Sequence, residues 1–301
     1  MLTKLSWNNI NWLQEDCNQL DGQFPISFIN FYTWKFYNSH FYFIKKDNAI
    51  YLYIFEFENN DPNFKPLSIS VFAPIVKDKN AVNLIKHYKD AIYAIKDFLV
   101  KDKNISIDIC SFDLKDLKLF KNAQTVFTFN CGYIYETNQL KYMSGKKMQK
   151  KRNFLNYYNK NFAKDSQVFK YDSSWKQKII EFCKKYCIDE NTNQIRTNEI
   201  QVIQDFLNSE TKGLGTILLY KDNIIGFTYG FVCKDKYEIF FEKADKNFKG
   251  SFQYLITQNL LINEINTKYV DRQDDINSEN LKKSKLSYKP IDVIKLYFFK
   301  P

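Results

Sequence analysis

The chain repeats one succession of secondary-structure signals, and that repetition limits its possible folds more than any other feature. Residues 40–45 alternate as a strand, Lys46-Asp47-Asn48 carries turn chemistry, and residues 49–57 read as the returning strand. Residues 216–220, the same tripeptide at Lys221-Asp222-Asn223, and residues 224–233 spell a second hairpin. After the first come a strand at 67–72 and a helix over about 81–100, with Leu84, Ile85, Tyr88, Ile92, Ile95 and Leu99 at helical spacing. A strand at 105–110, a short helix near 114–120 and a strand at 125–135 follow. After the second hairpin the order recurs as a strand (237–242), a helix (251–266), a strand (268–272), a short helix (278–284) and a strand (293–299). Each strand–helix–strand crossover is expected to be right-handed, with its strands parallel. The pattern predicts an α+β, α/β-like chain of tandem domains, residues 1–138 and 139–301, with mixed central sheets flanked by helices. The alternative is one mixed domain without a repeat.

Composition narrows the class. At 301 residues with 45% hydrophobic side chains, the chain can bury two sizeable cores. No apolar run reaches the roughly 18 residues of a membrane span. The first residues lack the apolar core of a signal peptide, so the expected location is cytoplasmic. Six cysteines without a Cys-x-x-Cys pair, and only two histidines, argue against a metal site. Cys183 and Cys187 fall on a predicted helix over 175–187 and read as buried thiols. The net charge of +10 suggests an anionic partner. It is concentrated between Glu136 and Asp165, where Lys141, Lys146, Lys147, Lys150, Lys151, Arg152, Lys160 and Lys164 meet no acidic residue. In this run Met148, Leu155, Tyr158 and Phe162 form a core stripe. The basic face is expected to hold tRNA phosphates or anionic lipid headgroups, with Lys146, Lys147, Lys150, Lys151 and Arg152 as the contacts, or else to be plainly solvated.

Three segments carry a family resemblance. Residues 140–153 read Leu-Lys-Tyr-Met-Ser-Gly-Lys-Lys-Met-Gln-Lys-Lys-Arg-Asn; residues 241–245 read Phe-Glu-Lys-Ala-Asp, followed by Lys249-Gly250-Ser251. Residues 271–276 read Asp-Arg-Gln-Asp-Asp-Ile, and residues 281–290 read Leu-Lys-Lys-Ser-Lys-Leu-Ser-Tyr-Lys-Pro. Together they resemble the C-terminal domain of phosphatidylglycerol lysyltransferases, a branch of the GNAT superfamily, over about residues 139–301. The chain departs from the family pattern at Asp271 (Asn in the family), Gln273 (Glu), Asn277 (Gly) and Lys282 (Arg).

The resemblance implies tandem GNAT-like domains and transfer of an aminoacyl or acyl group to an amine or hydroxyl. The donor is expected to be aminoacyl-tRNA first and acyl-CoA second, lying between two splayed strands at 237–242 and 268–272. Their ends offer Glu242 or Asp271 as general base, with Asp274 and Asp275 nearby, and Tyr288 as the acid beside the leaving group. The donor loop would be Lys249, Gly250 and Ser251 at a helix start, with Arg272 and Lys285 supplying charge. Phe252 stands where a coenzyme-A loop usually has a small residue, which favours the aminoacyl-tRNA donor. If the family's Glu is catalytic, Gln273 removes it, and a catalytically silent basic binding module becomes the alternative.

Overall fold

Both Lys-Asp-Asn tripeptides close a hairpin, in registers offset by one residue. In the first, Lys46 pairs with Ala49, leaving Asp47 and Asn48 as the turn. In the second, Tyr220 pairs with Asn223, and Lys221 and Asp222 turn with φ of 46° and 65°, the positive values that a two-residue turn of the primed type requires. The computed structural model describes residues 1–34, 39–58, 66–96, 105–121, 123–186, 197–209 and 213–300. These fall into two units, residues 1–129 with the chain from Ile294 onward, and residues 130–293.

The first unit holds β1 (Thr3–Lys4), α1 (Trp7–Leu20), α2 (Phe28–Trp34), β2 (Ser39–Lys46), β3 (Ala49–Phe57), β4 (Pro66–Phe72), β5 (Ile75–Val76), α3 (Ala81–Ala94) and β6 (Ser106–Ser111). Its sheet runs β1-β2-β3-β4-β6, with β4 and β6 parallel and the other neighbours antiparallel. One face buries Tyr51, Tyr53, Phe55, Ile69 and Val71 against Leu84, Tyr88 and Ala91 of α3. Phe41 and Phe72 pack on Phe31 of α2. Full burial of such side chains contributes about 1.5–3 kcal/mol each. Leu99, expected on the first long helix, and Cys187 lie outside the described residues.

The second unit continues from β7 (Gln124–Glu136), part of which belongs to it. It adds α4 (Thr137–Tyr142), α5 (Gln149–Asn161), β8 (Ser166–Lys170), α6 (Lys176–Tyr186), α7 (Thr197–Asn208), β9 (Leu214–Tyr220), β10 (Asn223–Cys233), β11 (Lys236–Ala244), α8 (Ser251–Ile262), β12 (Tyr269–Asp271) and α9 (Glu279–Leu286), and the chain then enters β13 (Asp292–Lys300), which from Ile294 belongs to the first unit. The order is β7-β12-β11-β10-β9-β8. Among the described residues only β11 and β12 run parallel in it. The far end of β13 pairs Tyr297, Phe298 and Phe299 with Ser111, Cys110 and Ile109, so these residues cluster with the first unit.

Helix α8 lies in the core of this unit, with Leu255, Ile256, Asn259 and Leu260 fully buried. Its polar Asn259 is satisfied by Thr216 Oγ1, which donates to Asn259 Oδ1 at 2.9 Å, and by the Tyr237 hydroxyl, which accepts from Nδ2 at 3.2 Å. Along the chain the order hairpin, strand, helix, parallel strand, short helix, strand occurs twice, the first time with β5 added before α3 and with the short helix at Leu114–Leu119, the second time closing on β13. No helix among the described residues is long and apolar enough to cross a membrane.

Candidate functional site

Strands β11 and β12 part company early. Their parallel pairing ends at Glu238 with Asp271, although β11 runs on to Ala244. Beyond that point the two chains carry Glu242 and Arg272. The Arg272 guanidinium closes the gap, with Nε donating to Glu242 Oε2 at 3.0 Å and Nη2 to Oε1 at 2.7 Å. Both side chains are nearly buried, 9% and 11% exposed. Arg272 also stacks on Tyr288, its Cζ 4.3 Å from the ring centre, and lies 5.8 Å from that of Tyr135.

Tyr288 is held from several sides. Gln253 Nε2 on α8 donates to its hydroxyl at 2.5 Å, and Gln139 Nε2 donates to its carbonyl at 3.1 Å. Burial pushes its pKa up, so the hydroxyl stays protonated at neutral pH. The structure therefore brings Glu242, Arg272 and Tyr288 together. Gln253, Gln139 and Tyr135 join them, and none of these three carries a sequence signal.

The other expected site residues are placed differently. Asp271 is fully buried and points back into the sheet, where its Oδ1 accepts from the Tyr133 and Gln273 N–H groups. A Cβ on Gly132 would come within 2.7 Å of Asp271 Oδ2, so the missing side chain there makes room for the carboxylate. Burial first, then neighbouring Glu238, raises the Asp271 pKa to about 7. Lys285 is the second cation expected to supply charge to a ligand. Its ammonium instead donates to the carbonyls of Arg272, Gln273 and Asp274, fastening the turn that follows β12. Burial lowers its pKa to about 8. Asp275 ties the same turn to β7, its Oδ2 accepting from the Tyr133 hydroxyl at 2.5 Å and from Asn130 Nδ2 at 2.9 Å. The turn needs left-handed backbone at Gln273, Ile276 and Asn277; asparagine tolerates that region better than most residues, which explains how it replaces the family's glycine.

The expected donor loop is packed rather than open. Gly250 has φ 93°, and a Cβ there would meet the Phe154 carbonyl at 2.1 Å, so this glycine serves the contact between α5 and α8. Ser251 is buried and its hydroxyl donates to the Asp245 carbonyl at 2.9 Å. Lys249 is exposed, its Nζ 4.8 Å from the ring centre of Tyr157.

The basic run divides as well. Lys146, Lys147 and Lys150 are exposed. Arg152 instead donates through Nη1 to the carbonyls of Met143 and Gly145. Lys151, expected on the exposed face, is buried, its Nζ 3.9 Å from the Tyr288 ring centre. The sequence does hold a signal for this: Lys151 falls three residues after Met148 and four before Leu155, inside the stripe read as core. A cavity of about 440 Å³ opens at the other end of β12, lined by Glu136, Thr137, Asn138 and residues 265–269, and none of the expected site residues lines it. Among the described residues no cluster of side chains is suited to a metal ion.

The profile of the family described as "Phosphatidylglycerol lysyltransferase, C-terminal" matches residues 23–300. An uncharacterized protein of Mycoplasmoides gallisepticum is 30% identical over 311 residues, spanning 99% of each chain. Among solved structures, a conserved protein of unknown function from Bacteroides thetaiotaomicron has a TM-score of 0.77 at 19% identity, over 99% of this chain and 98% of that one. The C-terminal domain of a putative lysylphosphatidylglycerol synthetase from Agrobacterium fabrum has a TM-score of 0.59 at 11% identity, over 98% and 92%. The structural likenesses establish the fold, which is that of the GNAT-type acyltransferases.

Proposed function

Because the chain belongs to the phosphatidylglycerol lysyltransferase C-terminal family, we propose that it transfers an aminoacyl group from aminoacyl-tRNA to an amine or hydroxyl acceptor in the second unit. The observation that carries this reading is the meeting of Glu242, Arg272 and Tyr288 where β11 and β12 separate. Ligands of open sheets bind beyond the carboxyl ends of parallel strands, and this is such a place.

In the proposed reaction the acceptor nitrogen or oxygen attacks the ester carbonyl. Its proton passes to Glu242, which Arg272 holds in position. The ester C–O bond breaks, and Tyr288 gives its proton to the leaving 3′-oxygen of the tRNA. A buried, protonated phenol suits that role. Asp271 has no part in this scheme, because it faces the sheet. Exposed Lys146, Lys147 and Lys150 would steer the tRNA backbone. The shared order of elements supports treating the two units as tandem GNAT-like domains.

A second reading rests on one observation: Glu242, Arg272 and Tyr288 fill the space between the strands with their own side chains. On that reading the chain is a catalytically silent module that binds tRNA or an anionic surface. Native mass spectrometry of the purified protein, followed by incubation with charged tRNA or acyl-CoA, separates the cases. Loss of the aminoacyl ester supports the first donor and consumption of acyl-CoA the second. Stable binding of tRNA with both donors intact supports the silent module.

A further inference from the structure

Lys151 is a lysine held almost out of solvent over an aromatic ring. It is the third residue of α5, at the positive end of the helix dipole, between Lys150 and Arg152. It is 9% exposed. Among the described residues it makes no hydrogen bond or ion pair, and its close contact is the ring of Tyr288, 3.9 Å away. The carboxylate that acts on it, Glu242, has both oxygens engaged by Arg272. Arg272 stacks on the same ring at 4.3 Å, and its Nη1 is buried without a hydrogen bond among the described residues. Two cations and one carboxylate thus surround one aromatic ring, a nearly buried region of net positive charge. Burial first, then Arg272 and Lys150, lowers the Lys151 pKa to about 8, and the nearby carboxylate does not restore it.

We propose that Lys151 Nζ and Arg272 Nη1 are the paired donors of a phosphate site at Tyr288, and that a substrate of the transfer reaction places its phosphate there. The site's placement in a reaction rests on the transferase reading; its affinity for phosphate does not. Arg272 has committed Nε and Nη2 to Glu242, so it cannot present the two parallel N–H groups that grip a planar carboxylate. One guanidinium N–H and one ammonium, arriving from separate elements, suit a tetrahedral oxyanion better. Such a site fits a phosphate ester close to the reacting atoms, on the donor or on the acceptor.

The test titrates the Lys151 side chain by NMR in carbon-13 lysine-labelled protein, with the signal assigned by its absence in Lys151→Met. The titration is run at matched ionic strength in chloride, inorganic phosphate and acetate. An anion bound at the ammonium favours its charged form, so phosphate raises the Lys151 pKa by about one unit for each tenfold preference for the charged form, while acetate leaves it near its chloride value. A pKa unmoved by phosphate, or moved equally by acetate, overturns the proposal. Melting temperatures give a second arm. Lys151→Met is expected to melt higher than the parent in chloride and to lose the parent's rise in phosphate. A variant that keeps the full phosphate response overturns the proposal. Neither arm needs transfer activity, so a failed phosphate site and a failed transfer reading give separate signatures.

Discussion

Arg272 grips Glu242 through two parallel hydrogen bonds, at 3.0 and 2.7 Å, across the point where β11 and β12 separate. The two lie thirty positions apart in the chain, yet the pair is almost out of solvent. A buried pair of this kind is a weak source of net stability and a strong liability when halved. Glu242→Ala is expected to destabilise the fold by about 3–5 kcal/mol, because the guanidinium is left uncompensated. Glu242→Leu combined with Arg272→Met should recover most of that loss and still show no transfer. Urea denaturation of the single and double variants checks the stability half; a double variant as unstable as the single would mean that the pair is not coupled.

Asp271 sets a pH dependence. Its folded pKa of about 7 lies above the ordinary carboxylate value of 3.8, so the native state keeps a proton that the unfolded chain has released. The contribution of this group is therefore favourable at low pH and is lost as pH rises from about 4 to about 7, beyond which it levels off. Each unit of elevation corresponds to about 1.4 kcal/mol. Asp271→Asn, which restores the family residue, is expected to remove that decline and to be the more stable protein at pH 8. Denaturation midpoints at pH 5 and pH 8 for both proteins decide it; parallel loss in the two would rule out Asp271 as the source.

The exposed lysines make a distinct prediction. Lys146, Lys147 and Lys150 lie open to solvent while Lys151 and Arg152 do not serve that surface. Reversing the three exposed lysines to Glu should weaken tRNA binding and reduce the slope of log affinity against log salt by about 0.7–0.9 for each phosphate no longer neutralised. Affinity and slope that match the parent would make this face a solvated one.

Much of the fold is legible in the sequence because local periodicity and turn chemistry decide it. The alternation at 40–45, the Lys-Asp-Asn turns of both hairpins, and the stripe of Leu84, Tyr88 and Ile95 follow from residues a few positions apart. The site is legible in part. The position of Glu242, Arg272 and Tyr288 in family-like segments singles them out, and the structure brings them to one place. Their pairing is not legible. On sequence grounds Glu242 has adjacent Lys243 for a partner, and Arg272 has Asp274 or Asp275; the structure gives Lys243 to Glu199 and Asp275 to Tyr133. Which partner wins is set by where the strands separate, a property of the sheet rather than of any segment. Lys151 departs from expectation because its charge suggests a surface, whereas its position in the stripe of Met148, Leu155 and Tyr158 turns it inward.

The central claim is that the Glu242–Arg272–Tyr288 cluster moves an aminoacyl group. The most direct measurement follows a labelled aminoacyl group on tRNA, incubated with the protein and a cell extract as the source of acceptors. Parent protein, Tyr288→Phe and the Glu242→Leu/Arg272→Met double variant are compared, each first shown to be folded. Tyr288→Phe loses only a hydroxyl and its hydrogen bond to Gln253, so its fold should survive at a cost of about 1 kcal/mol. The account predicts that the parent moves label from tRNA to a new acceptor, that Tyr288→Phe does so at least tenfold more slowly, and that the double variant does not do so at all. Label that stays on tRNA with the parent, or transfers equally with all three proteins, would contradict it.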